Sequence, residues 1–196
     1  MPRQIDLFAK DDTQCPALPP IAGLQLVSDV ISSQEEVRLA AHMDTAPLEP
    51  FRFGQWTGKR LTAYYGSSYD FQRGRPAPAP PLPEWLLDLR ARIAPKFGLA
   101  ADALQQALLT RYDPGAGIGW HRDRPQYEQV LGISLGAPAV MRLRRRKEDG
   151  TFARHRLALP PRAAYCLSGE ARDDWEHSIA PMEELRRSIT FRTFRR

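Results

Sequence analysis

Gln129-Val130-Leu131-Gly132-Ile133-Ser134-Leu135 lies within a series of short segments that decides the fold. Leu108 to Tyr112, Gln129 to Leu135, Val140 to Arg144, Arg154 to Leu159, Ala163 to Leu167 and Ser188 to Phe194 are each five to seven residues long. That is the length of a strand rather than a helix, and Gly or Pro turns separate them. Several short strands in series imply a sandwich or jelly roll.

Upstream of the strands the pattern is helical. Ser33-Gln34-Glu35-Glu36 has capping-box spacing, and Val37, Leu39, Ala40 and Met43 suit one buried face, so a helix is expected from about Gln34 to Met43. Pro76, Pro78, Pro80, Pro81 and Pro83 mark a stiff extended connector. Pro83-Glu84-Trp85 then opens a second helix, whose Trp85, Leu86, Leu89, Ile93 and Phe97 fall on one stripe and read as core. Residues 1–20 carry little periodicity and read as an extended tail, leaving 21–196 as one domain.

Hydrophobic content of 42% and charged content of 26% over 196 residues are those of a globular chain able to bury a substantial core. No apolar run approaches the roughly 20 residues needed to span a bilayer. With no signal-peptide pattern either, a cytoplasmic monomer is expected, or a nuclear one in a eukaryote. Cys15 and Cys166 are too few for a disulfide framework and read as free thiols. The net charge of +5 is compatible with a polyanionic partner. Its distribution says more: Arg142, Arg144, Arg145, Arg146 and Lys147 precede the turn Glu148-Asp149-Gly150, and Arg154, His155 and Arg156 follow it. This describes a hairpin with a basic tip, either a solvated turn or a phosphate contact.

The chemistry is carried by Trp120-His121-Arg122-Asp123, by His177, and by Arg186 and Arg192. On a strand or strand end, positions 121 and 123 point the same way, so an imidazole and a carboxylate can face one metal ion while His177 closes a third position. Two His and one carboxylate form the facial triad of non-haem iron(II) oxygenases, which leaves positions open for a co-substrate. If 186–192 is a strand, both arginines emerge from one face with Cα atoms roughly 20 Å apart, at about 3.3 Å per residue. The gap between their guanidinium groups then suits a five-carbon dicarboxylate, which arginine grips with two parallel hydrogen bonds. A one-residue slip would exchange Arg186 for Arg187.

Thr110-Arg111-Tyr112-Asp113-Pro114-Gly115, Trp120 to Asp123, Gly132-Ile133-Ser134-Leu135-Gly136, Ser168-Gly169-Glu170-Ala171-Arg172, His177-Ser178-Ile179 and Arg186 to Arg192 together resemble, in order, the AlkB-like iron(II)/2-oxoglutarate-dependent dioxygenases. The resemblance implies a mainly β (α+β) domain, a double-stranded β-helix or jelly roll buttressed by N-terminal helices. It implies Fe(2+) on His121, Asp123 and His177, with dioxygen and 2-oxoglutarate as co-substrates. Arg186 would take the distal carboxylate and Arg192 the end near iron, with Tyr112 hydrogen-bonding the co-substrate. Thr110 stands where the family often has asparagine.

Residues 60–83, opening on Arg60-Leu61-Thr62-Ala63-Tyr64-Tyr65-Gly66, resemble the family's nucleotide-recognition segment. Tyr64 or Tyr65 would stack on a flipped or single-stranded base. Two residues past the ligand aspartate, where repair enzymes of the family often carry an acidic group for a cationic methylated base, this chain has Arg124-Pro125. The implied activity is oxidative demethylation of N-alkylated bases in nucleic acid, DNA or RNA. The alternatives are hydroxylation or demethylation of tRNA or protein, and a regulatory binding module on the same fold. Gln4-Ile5-Asp6-Leu7-Phe8 resembles the peptide by which bacterial repair proteins dock on the sliding clamp, with Gln4, Leu7 and Phe8 as anchors.

Overall fold

The computed structural model describes residues 20–53, 55–70 and 75–195. In chain order these form β1 (Leu24–Val27), α1 (Ser33–Asp44), β2 (Glu49–Phe53), β3 (Trp56–Tyr65), β4 (Ser68–Asp70), β5 (Arg75–Ala77), α2 (Glu84–Ile93) and β6 (Leu104–Tyr112). There follow β7 (Ile118–His121), β8 (Tyr127–Gly136), β9 (Ala139–Arg146), β10 (Phe152–Leu159), β11 (Ala164–Leu167), α3 (Gly169–Asp173), β12 (Glu176–Ile179) and β13 (Arg186–Phe194). A seven-stranded sheet in the order β1-β11-β8-β13-β6-β3-β2 faces a four-stranded sheet in the order β10-β9-β12-β7. This is the jelly roll expected from the strand series.

The alternation of β13 sorts the interior into two compartments. Ile189 and Phe191 point to the outer side of the large sheet. There they join Leu109, Leu131, Ile133 and Leu135, and Leu86, Leu89 and Ile93 of α2 close the layer. Arg186, Ser188, Thr190 and Arg192 point the other way, into the space between the sheets. That inner space is walled by Val130, Leu167, Met141, Leu143 and Ile179, with contributions from both sheets. One side of the sheet is thus an ordinary apolar core, and the other a polar cavity inside an apolar frame.

The capping box lies one residue earlier than its sequence pattern indicates. Ser32 is the N-cap, its side chain accepting from the Glu35 N–H at 3.2 Å while Glu35 accepts from the Ser32 N–H at 2.9 Å. Ser33 is already helical, and the helix runs to Asp44. Glu36 has other work: its carboxylate accepts from the Gly136 N–H at 2.7 Å and from Arg162 at 3.2 Å, tying α1 to the end of β8. The part of the 60–83 segment up to Tyr65 belongs to the large sheet through β3–β6 pairing, and β4 and β5 form a separate two-stranded hairpin.

Candidate active site

Strands β7 and β12 pair antiparallel with His121 opposite His177, which puts the two imidazole centres 4.3 Å apart. Asp123 follows two residues beyond the end of β7, and its Oδ2 lies 3.6 Å from His177 Nε2. One donor atom from each of the three lies within 4.8 Å of the others. His121 Nδ1 donates to the Gly119 carbonyl at 2.9 Å, a contact that leaves Nε2 with its lone pair for a metal. Burial, against the pull of Asp123, lowers the His121 pKa. Burial and then the neighbouring His121 push His177 down to about 3, so both rings are neutral, the form that ligates.

Asp123 is held by Arg192. Arg192 Nε and Nη2 donate to Asp123 Oδ1 at 2.9 and 2.8 Å, while Nη1 donates to Gln106 Oε1 at 2.8 Å. Burial alone would raise the Asp123 carboxyl, but the Arg192 guanidinium beside it, with Arg172 adding to it, outweighs burial and holds the group well below the usual carboxylate range. Arg192 therefore fixes the orientation of a ligand carboxylate, a role beyond the one expected for it. Its guanidinium carbon also lies 5.0 Å from the centre of the Tyr127 ring.

Six residues along β13, Arg186 is fully buried. Its Nε donates to Ser134 Oγ at 3.2 Å, and its guanidinium carbon lies 5.2 Å from the Tyr112 ring centre. Nη1 and Nη2 have no hydrogen-bond partner among the described residues. A buried guanidinium with both terminal nitrogens unmatched is costly unless an anion completes it. The donor set at one end and this cation at the other thus fit iron(II) and a dicarboxylate. Between them the register places Thr190 beside Leu108 and Gly132, then Ser188 beside Thr110 and Ser134. Short side chains on β13 and β8 there make a floor along which an extended ligand can lie.

Arg187 points to the outside and pairs with Asp44, its Nε donating at 2.9 Å, so Arg186 alone of the pair faces the cavity. Thr110 and Tyr112 are buried in the ladder opposite Ser188 and Arg186. Of the two substrate tyrosines only Tyr64 is on the site's side, where Arg192, Arg60 and Arg124 bear on its buried hydroxyl. Tyr65, one residue on, faces the opposite side of β3 and packs against the outer core. Arg124 is half-buried beside Tyr64 and Tyr127, and its carbonyl accepts from Arg172. Gln4, Leu7 and Phe8 lie outside the described residues.

The basic hairpin is also redistributed. Arg142 and Arg144 lie over the Trp120 ring at 5.3 and 4.4 Å, and Arg144 pairs with Glu176 at 2.6 Å. Arg145 points to the other face, where it pairs with Glu170 at 2.6 Å and lies over Trp175. Arg154 and Arg156, opposite Arg144 and Arg142 on β10, are exposed. The positive charge therefore covers a sheet face as well as the tip.

Arg60, Gln106, Tyr127 and Tyr165 reach this cavity without having been singled out in the sequence. Arg60, Thr62 and Tyr64 share the inner face of β3 by simple alternation, a signal available once that strand is known. Arg60 is buried over the Phe51 ring at 3.8 Å.

A family model described as 2OG-Fe(II) oxygenase superfamily matches residues 22–192. Among curated proteins, the chain is 30% identical over 169 residues to tRNA (carboxymethyluridine(34)-5-O)-methyltransferase ALKBH8 of Macaca fascicularis, covering 83% of this chain and 24% of that protein. It is 30% identical over 187 residues to Alkylated DNA repair protein ALKBH8 homolog of Arabidopsis thaliana, covering 81% of this chain and 51% of the relative. It is 28% identical over 148 residues to Alpha-ketoglutarate-dependent dioxygenase AlkB of Escherichia coli, covering 70% and 66%. The chain thus spans about a quarter to two thirds of these relatives. Two solved structures share the fold: OsALKBH1 (TM-score 0.63, 14% identity, covering 87% of this chain and 98% of that one) and a Pseudomonas putida prolyl-4-hydroxylase (TM-score 0.62, 15% identity, covering 88% and 93%).

Proposed function

The chain is an AlkB-like member of the 2OG-Fe(II) oxygenase superfamily, whose enzymes use iron(II), 2-oxoglutarate and dioxygen, and from that premise we propose that it oxidatively demethylates N-alkylated bases in nucleic acid. The observation that carries the oxygenase half of the reading is the pairing of a His-Asp-His donor set with the unmatched, buried Arg186 across a short-residue floor.

When bound, the metal and its co-substrates supply the oxidation: 2-oxoglutarate and dioxygen become succinate and carbon dioxide, and a hydroxylated N-methyl group leaves as formaldehyde. The chain's own part is placement. His121, Asp123 and His177 offer three donors from one side, with Arg192 holding the Asp123 carboxylate ionised and oriented. Arg186 and Tyr112 receive the distal carboxylate, and Thr110 and Ser188 line the floor between. Tyr64 borders the space above the triad and offers a stacking surface to a base. Its neighbour Arg124 suits a neutral or electron-rich base edge better than a cationic one.

Support for nucleic acid comes from Arg142, Arg144, Arg154 and Arg156 across the outer face of the small sheet, where Arg142 and Arg144 lie over the Trp120 ring, a surface matched to phosphates. The names of the relatives divide between tRNA and DNA repair, so tRNA is the second reading. The test measures succinate and formaldehyde together across methylated DNA, methylated RNA and modified tRNA. Equal amounts of both products on one of these, with only background succinate on the unmethylated strand, are expected. Succinate without formaldehyde on every methylated strand would refute demethylation.

A further inference from the structure

The inner floor of the large sheet has one large residue hanging over it. Tyr165 of β11 stands opposite Gly132 of β8 in the ladder. A Cβ added at Gly132 would meet the Tyr165 ring at Cζ 2.3 Å, Cε1 2.5 Å and the hydroxyl oxygen 2.5 Å away. The ring therefore lies across the bare Cα of Gly132, and any side chain at that position would displace it. Gly132 is in turn flanked by Thr190 of β13, the residue between Arg192 and Arg186 on the cavity side. The phenol thus enters the stretch a five-carbon acid must cross.

Tyr165 is 8% exposed, and its hydroxyl makes no hydrogen bond among the described residues. The hydroxyl oxygen is not among the fully buried atoms that lack a partner, so it reaches the accessible part of the cavity. Burial raises this phenol to about 12, and of the charged groups around it Arg186 acts on it most strongly, ahead of Asp123 and Tyr112. It is therefore protonated, a donor, and its register through Gly132 and Thr190 puts it on the same inner face as the cation that would bind the distal carboxylate.

We propose that Tyr165 binds the co-substrate directly: its hydroxyl donates a hydrogen bond to the distal carboxylate of 2-oxoglutarate alongside Arg186, in space that Gly132 leaves open. This rests on the reading of the cavity as a 2-oxoglutarate site. Tyr112 and Arg186 would then grip the carboxylate from β6 and β13, and Tyr165 from β11.

Tyr165→Phe keeps the ring that packs against Gly132 and removes only the hydroxyl. The full chain loaded with manganese(II) is titrated calorimetrically with 2-oxoglutarate, and then with 2-oxobutyrate, which lacks the distal carboxylate. Wild-type binding of 2-oxoglutarate tests the underlying site; its failure would sink the proposed function, whatever the variant does. Given that binding, Tyr165→Phe is expected to weaken 2-oxoglutarate about tenfold, the effect of one hydrogen bond to a charged group. Manganese affinity should stay constant, and the preference for 2-oxoglutarate over 2-oxobutyrate should fall by about the same factor. Unchanged 2-oxoglutarate affinity would overturn the assignment. So would a parallel loss for both acids, since a purely structural tyrosine makes no distinction between them.

Discussion

Replacing Arg186 with Met should move binding and stability independently, because the residue is buried for a ligand rather than for the fold. Within the protein its contacts are one hydrogen bond to Ser134 and the face of Tyr112, while both terminal nitrogens go unmatched. Losing the Ser134 bond costs about 1 kcal/mol. Removing two unpaired, desolvated nitrogen groups offsets that by about as much. The unliganded domain should therefore keep its stability to within about 1 kcal/mol. For 2-oxoglutarate the same change deletes one partner of a buried charge pair, about 2–5 kcal/mol, or roughly 30-fold to 4,000-fold in Kd. Urea unfolding of the unliganded chain and calorimetric titration with manganese(II) and 2-oxoglutarate measure the two quantities. Arg187→Met, which loses only the outward pairing with Asp44, is the control and should bind as wild type. An Arg186→Met affinity within threefold of wild type would refute the reasoning, as would a collapse of the unliganded domain.

His121→Ala, Asp123→Ala and His177→Ala should each abolish turnover and metal binding; the two histidine variants should leave the urea midpoint nearly unchanged, whereas Asp123→Ala, which strands the buried Arg192 guanidinium, should also lower it; wild-type turnover in any one removes that residue from the ligand set. Arg192→Lys should cost turnover nearly as much, because lysine keeps the charge but lacks the fork that meets both Asp123 and Gln106, and a metal titration should show weakened binding. Tyr64→Ala should reduce base oxidation without unfolding the domain, whereas Tyr65→Ala should lower the melting temperature by removing packing from the outer core. Changing Arg154 and Arg156 to Ser should weaken nucleic-acid binding and flatten its dependence on log salt by about one unit per lost phosphate contact, with 2-oxoglutarate binding unaltered.

The strands legible in the sequence were those buried on one or both faces. β8 and β13 show as apolar or β-branched runs because their outward residues fill the core under the helices. β7 and β12 did not, because four-residue strands that carry His121, His177 and a small polar neighbour such as Ser178 have no apolar alternation to read. β3 does alternate, with Ala63 and Tyr65 toward the outer core and Arg60, Thr62 and Tyr64 on the inner face, but the inner residues gain a place in the site only when β6 pairs with it. The triad and Arg186 were legible from residue type and spacing. The role of Arg192 in orienting Asp123 depends on how two distant segments meet across the cavity. Tyr165 is further out of reach, since only its register against Gly132 puts it over the floor.

The most direct test supplies the iron-loaded chain with 2-oxoglutarate, a methylated strand and dioxygen labelled with heavy oxygen, and reads the label by mass spectrometry. One labelled oxygen in each succinate, with loss of one methyl group from the strand for each succinate formed, is the expected result. Unlabelled succinate, or demethylation that proceeds equally without 2-oxoglutarate, would contradict it.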